Sequence, residues 1–255
     1  MITTQTFIEE KALSYRDLNT FAKSPMHYKY YAENGMEQTK SMEFGILFKL
    51  AVLDPAAFKD QYYMIPVADK RTVAGKNGAL KAEQENEGKT GIPMEMYKSI
   101  LQMRENVYSN GKANKLLNCE HLKYFFWNDP ETLVTCKGKV SILKERQWMA
   151  EIVTTHNADP EQFASDILNY HYHRKAAFQQ DAAKQKVPYY LIVVEKQAPF
   201  AVNVFKMPGE LITKGRKAYK DLLKQFSVCE LTNSWPGYEC KDSEEIVRRK
   251  LKLRR

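Results

Sequence analysis

Three strand-like segments follow one another between helical stretches of this 255-residue chain, and that order restricts the fold more than any single motif does. HLKYFFW (121–127) and TLVTC (132–136) flank the turn residues Asn128, Asp129 and Pro130, which predicts an antiparallel hairpin. The second strand runs on through KGKVSIL (137–143), and WMAEIV (148–153) follows a charged turn at 144–146. One helix starts near Asp159 and Pro160 and another covers 172–184, before two closing strands, YYLIVVE (189–195) and FAVNVF (200–205). The N-terminal third reads as helical. Ser14 and Asp17 form a capping box ahead of Leu18 and Phe21, and Ser24-Pro25 restarts a helix that Gly35 stops. Residues 43–53 are apolar nearly all round, the mark of a buried helix, with Lys49 as the exception. Asp54-Pro55 opens a further short helix, and Met96, Ile100, Met103 and Val107 recur at helical spacing after Pro93. A long helix from about 208 to 226 and an aromatic turn WPGY (235–238) follow. The order predicts an α/β fold, a mixed central sheet flanked by helices with an N-terminal helical region. The polar, glycine-bearing run 69–91 is expected to be a mobile surface loop inside one domain covering 1–240.

Charge is unevenly placed. The formal net charge is +8 and the isoelectric point about 9.1, but RRKLKLRR (248–255) alone holds six basic residues and no acid. The remainder is close to neutral, so a basic C-terminal arm (241–255) is implied and a globally basic surface is not. No apolar stretch approaches the ~20 residues of a membrane-spanning helix, and the first residues lack the charge and apolar core of an export signal. Cys119, Cys136, Cys229 and Cys240 contain no C-x-x-C pair and are expected to be reduced thiols in a cytoplasm. His171 and His173 lie two apart on a predicted helix and so point to different faces, a poor metal pair.

Several segments, taken in order, carry a resemblance: SYRDLNTFAKSPMHY, FGILFKLAVLDPAAF, DKRTVAGK, CKGKVSIL, EIVTTHNADPEQF, YHYHRKAAFQQDA and WPGY. Together, from Ser14 to about Tyr238, they resemble the phage and prophage RecE-like exonucleases of the exodeoxyribonuclease VIII type, within the PD-(D/E)XK nuclease superfamily. The resemblance implies a nuclease fold that degrades duplex DNA from an end, 5′ to 3′, with Mg²⁺. It implies a His on the buried helix, an Asp on the middle strand, a D-x-K pair on the next strand, and a Gln and a Tyr on the following helix. Paired hard cations need carboxylate oxygens, and together they activate water and stabilise the leaving oxygen.

Carried over residue by residue, most of that set is altered. The His position holds Lys49, the middle-strand Asp falls at Ser141, and D-x-K reads Glu151-Ile152-Val153. The Gln position is Lys175 and the Tyr position is Gln179. At ~4 Å and an effective dielectric near 20, one carboxylate attracts a dication by roughly 8 kcal/mol and one ammonium repels it equally. With Lys49 pointing inward, Glu151 is cancelled as a metal ligand, and Lys175 tips the site toward an anion such as phosphate. The bland alternatives are that Lys49 snorkels outward, that Lys175 is a solvated helix residue, and that Glu151 pairs with either. Arg71, Lys137, Lys139 and Arg174, with Arg248, Arg249, Arg254 and Arg255 of the arm, are candidate phosphate contacts.

The resemblance therefore implies a nuclease-fold protein with cleavage lost or impaired, acting in recombination or defence by binding duplex DNA ends or a protein partner. No cofactor is expected. Alternatives are an active Mg²⁺-dependent exonuclease with Glu43, Glu145 or Asp159 as substitute ligands and Lys175 in place of the missing lysine, or a pseudonuclease subunit joined to an active paralogue or an annealing protein. A homo-oligomer is expected in each case.

Overall fold

The computed structural model describes residues 4–66 and 73–238. In chain order the elements are α1 (Thr4–Glu9), β1 (Leu13–Ser14), α2 (Tyr15–Phe21), α3 (Pro25–Asn34), α4 (Lys40–Leu53), α5 (Pro55–Gln61), β2 (Tyr62–Ile65), α6 (Val73–Glu85), β3 (Thr90–Pro93), α7 (Met94–Ser109) and α8 (Gly111–Leu117). They continue with β4 (Glu120–Asn128), β5 (Thr135–Lys144), β6 (Trp148–Thr155), α9 (Pro160–Asn169), α10 (Tyr172–Ala182), β7 (Tyr189–Glu195), β8 (Val202–Lys206) and α11 (Gly209–Thr232).

Local chemistry accounts for the boundaries. Ser14 and Asp17 form the reciprocal capping box at α2, Ser24 caps α3 with Pro25 in its first turn, and Asp54 caps α5 ahead of Pro55. The predicted hairpin is present, with β4 and β5 antiparallel from the Glu120–Leu143 pair to the Asn128–Thr135 pair. Its turn is set by Asp129, whose Oδ1 accepts from the backbone N–H groups of Glu131 and Thr132 and from the Thr132 hydroxyl.

The central sheet is mixed and has six strands in the order β1-β5-β6-β7-β8, with β4 added alongside β5. Both its faces are covered. On one, Met149, Val153, Leu191 and Val193 pack with Phe21 of α2, Phe163 of α9, Phe178 of α10 and Tyr219 of α11. On the other, Ala150, Ile152, Ile192 and Val194 pack with Phe48 and Ala51 of α4, Phe58 of α5 and Ile100 and Met103 of α7. Alternate residues of β6 and β7 serve opposite cores because strand side chains have a period of two, so β7 reads as a near-continuous apolar run and β6 as one broken by Glu151. The helix pair α10 and α11 approaches closely at Gly215, where an added Cβ would lie 2.3 Å from the His173 carbonyl oxygen.

One expectation is corrected. Within the run 69–91, Val73–Glu85 is helix and Thr90–Pro93 is a strand paired in parallel with β2. Residues 79–85 (ALKAEQE) are strong helix formers, and the polarity that suggests a loop reflects a helix with little apolar face. The last helix also runs further than predicted, to Thr232, and Cys240 lies outside the described residues.

Candidate functional site

The sheet forks where Lys49, Ser141, Glu151, Lys175 and Gln179 meet. One edge of β5 is occupied by β4. The other edge is shared by β1 at Cys136 and Lys137 and by β6 at Ile142–Lys144, which leaves residues 138–141 without a strand partner on that side. The β5–β6 ladder stops at the Ile142–Ala150 pair. Ser141 and Glu151 are the next residue on each strand, at the base of the opening.

Glu151 sits at the centre of a closed set of donors. Its Oε1 accepts from Lys49 Nζ at 2.7 Å and from the Ser141 hydroxyl at 2.9 Å. Its Oε2 accepts from Lys175 Nζ at 2.8 Å and from Gln179 Nε2 at 3.3 Å. Lys49 comes from α4 and Lys175 from α10, so the carboxylate is gripped from the two helical layers. Gln179 Nε2 also donates to the Lys139 carbonyl at 2.6 Å, inside the unpaired stretch of β5, and its Oε1 accepts from the Tyr189 hydroxyl. Five of the six positions singled out by the sequence, Lys49, Ser141, Glu151, Lys175 and Gln179, thus converge. Val153 does not join them; it is buried in the apolar core beside α10.

Burial and charge set the electrostatics. Glu151 is only 2% exposed, and burial alone would raise its carboxyl, but the Lys175 and Lys49 ammoniums overcome that and hold it well below the usual carboxylate range. The Lys49 ammonium is shifted down because burial outweighs the attraction of Glu151, and Lys175 adds repulsion. Burial, with the Glu151 charge nearby, also pushes the Tyr189 hydroxyl up. The side chains of Lys49 and Lys175 keep 33% and 26% of their surface exposed. Lys49 therefore does not snorkel away, and Lys175 is not merely solvated.

A divalent cation does not fit this donor set. A carboxylate offers about four lone-pair sites, and four donors already fill those of Glu151. The other acids proposed as substitutes are elsewhere. Glu145 lies in the β5–β6 turn beyond the ladder, Asp159 caps α9, and Glu43 is exposed on α4. Among the described residues no cluster of three or more His, Cys, Asp or Glu is placed to hold a metal. His173 instead faces the Ile167 carbonyl through Nδ1 at 3.3 Å.

The basic candidates divide. Lys137 donates to the carbonyls of Phe7, Ile8 and Glu10 and so ties down the end of α1. Arg174 is corrected from surface contact to buried residue: it is 6% exposed, donates to Asn19 Oδ1 and lies over the Tyr15 ring. Lys139 stays exposed above the Tyr124 ring. Arg71 and the arm residues Arg248, Arg249, Arg254 and Arg255 lie outside the described residues. Tyr189 was the member the sequence did not disclose, since an aromatic opening an apolar strand gives no sign that its hydroxyl turns to a polar cluster.

Comparison with solved structures places this fold beside a protein of Eubacterium rectale that bears the name of an exonuclease, with a TM-score of 0.65 over 96% of this chain and 91% of that one at 9% identity. A phage related exonuclease from Haemophilus somnus 129PT aligns with a TM-score of 0.34 at 10% identity, over 89% of this chain and 98% of that one. No curated protein matches the sequence significantly. Residues 14–248 match the family described as a PDDEXK-like domain of unknown function (DUF3799). That match takes in the fork, both covering layers and the residues gathered at Glu151, and the chain belongs to this PDDEXK-like family.

Proposed function

We propose that this chain is a nuclease-fold protein that binds duplex DNA ends without cutting them. The observation that carries the reading is the saturation of Glu151 by Lys49, Ser141, Lys175 and Gln179. A two-metal nuclease needs free carboxylate oxygens to hold its cations, and here the one acid in the fork is engaged by two cations of the chain itself. No step of phosphodiester cleavage is assigned to these residues. Lys49, Lys175 and the exposed Lys139 leave the fork electropositive, and the basic stretch RRKLKLRR adds sequence-independent attraction for phosphates. Where DNA processing accompanies the protein, the cutting belongs to an associated protein.

The test is incubation of linear duplex DNA with the purified chain and Mg²⁺ or Mn²⁺, followed by electrophoresis, with binding measured in parallel. The expected result is retention of the duplex at full length together with saturable binding. Metal-dependent release of nucleotides that Glu151→Gln abolishes would establish the active-enzyme alternative instead.

A further inference from the structure

Resting on the DNA-binding reading, we infer that Lys49 and Lys175 together form a seat for one phosphate group of the DNA, with Glu151 as the buried strut that fixes both ammoniums. Each lysine carries three N–H donors and directs one at Glu151, Lys49 to Oε1 at 2.7 Å and Lys175 to Oε2 at 2.8 Å. Because the two ammoniums hold different oxygens of one carboxylate, they are fixed as neighbours. Their side chains remain 33% and 26% exposed, whereas Glu151 is 2% exposed, so the two lysines reach the surface and the acid does not. The cluster of two ammoniums and one carboxylate has a formal charge of +1, which a phosphodiester neutralises.

The strut is itself immobilised. Ser141 and Gln179 hold the carboxylate, and Gln179 is held in turn by the Lys139 carbonyl and the Tyr189 hydroxyl. Lysine side chains lose much rotamer freedom when they bind a ligand, and this arrangement removes that freedom beforehand. Lys175 also stands in the first turn of α10, which opens with no side-chain cap and no acid, so the positive end of the helix dipole adds to the same field. Ser141 is committed to Glu151 and adds no donor to the seat. Glu151 is thus a positioning residue whose charge lowers, and whose geometry organises, the attraction for phosphate.

The phosphate can be an internal diester or a terminal 5′-monoester, and the experiment separates them. Binding of a short blunt duplex, with and without 5′-phosphates, is measured across salt for the unaltered chain, Lys49→Met, Lys175→Met, Glu151→Gln and, as a control, the exposed Lys214→Gln. Each Met variant is expected to bind about tenfold more weakly and to lose ~0.9 of a log unit of salt slope, the share of one phosphate contact. Glu151→Gln is expected to bind more tightly and Lys214→Gln unchanged. A deficit confined to the phosphorylated duplex identifies the monoester; an equal deficit with both duplexes identifies the diester. Acetylation footprinting of the unaltered chain gives a measurement independent of any variant's folding: the duplex should protect Lys49 and Lys175. Binding by the unaltered chain with both lysines still reactive, or with both Met variants unchanged, overturns the seat while leaving DNA binding intact. No binding by the unaltered chain overturns the function proposed above.

Discussion

Removing both lysines that hold Glu151 should invert the pH dependence of stability that this carboxyl confers. In the native chain its two ion pairs, at 2.7 and 2.8 Å, are each worth about 6 kcal/mol of direct attraction at an effective dielectric near 20. Desolvation cancels several kcal/mol of that for each ion. The residue of that balance is small for one lysine: Lys49→Met leaves the Lys175 pair in place and should cost about 1.5–3 kcal/mol, the worth of a hydrogen bond to a charged group. Lys175→Met should behave alike. The double substitution leaves a carboxylate 2% exposed with only Ser141 and Gln179 as donors, and an uncompensated buried charge costs a further ~3–5 kcal/mol.

The double variant can escape part of that cost by protonating Glu151, and this gives the experiment its sign. In the native chain the folded carboxyl lies below its unfolded value, so its stabilisation is fully present above about pH 4.3 and is lost as pH falls through the folded value. Without the lysines burial outweighs the Ser141 and Gln179 donors and raises the folded carboxyl. Its stabilisation is then present below about pH 4.3 and lost as pH rises through the raised value. Urea denaturation at a series of pH values between the acid range and neutrality reads this directly. The double variant should lose stability steadily toward neutral pH relative to the native chain, and Glu151→Gln placed on the same background should abolish the slope. Parallel curves for the native chain and the double variant would refute the argument, because they would mean that Glu151 reaches water without its lysines.

Two further outcomes follow from other parts of the geometry. Gly215→Ala should lower stability by about 1–3 kcal/mol or more, read as a fall in Tm, because its Cβ would meet the His173 backbone carbonyl at 2.3 Å and a carbonyl in a packed helix cannot swing aside. Lys49→Glu should create divalent affinity where the native chain has little, since it removes a competing ammonium and adds an acid facing Glu151; calorimetry with Mn²⁺ on both proteins checks it, and equal heats would show that Lys49 does not block the site.

The hairpin at Asp129 and the helix starts were legible because each rests on local chemistry: an Asx turn, a capping box, a proline in a first turn. The helix at Val73–Glu85 was not, because its signal is propensity without an apolar stripe, and a polar run with glycine reads equally as loop. The resemblance placed Lys49, Ser141, Glu151, Lys175 and Gln179 on the right elements, and their opposed charges already suggested mutual pairing. What could not be read was the direction of each bond. That Lys49 and Lys175 take different oxygens depends on α4 and α10 bringing them to Glu151 from the two helical layers, and no pattern within either helix encodes that meeting. Arg174 misled for a related reason: it neighbours Lys175 in sequence, but the 100° turn per residue sends it to Asn19 and Tyr15.

The residues around Glu151 are interdependent. A carboxylate at position 141 would stand within about 3 Å of Glu151 Oε1, where two acids cannot both ionise unless a cation lies between them; a hydroxyl there donates instead of repelling. The polarity of Gln179 is fixed in the same way. The Lys139 carbonyl can only accept, so the amide nitrogen must face it and Glu151, and the amide oxygen must then take the Tyr189 hydroxyl. Lys49, Ser141, Lys175 and Gln179 are thereby all turned to donate toward a single acid. Placing only an acid at 141, or only a lysine at 153, would put a charge in a setting built for its absence: the first against Glu151, the second into the apolar core where Val153 packs. Cation binding at Glu151 therefore requires the removal of Lys49 or Lys175 first, because those two ammoniums hold the oxygens that any metal would need.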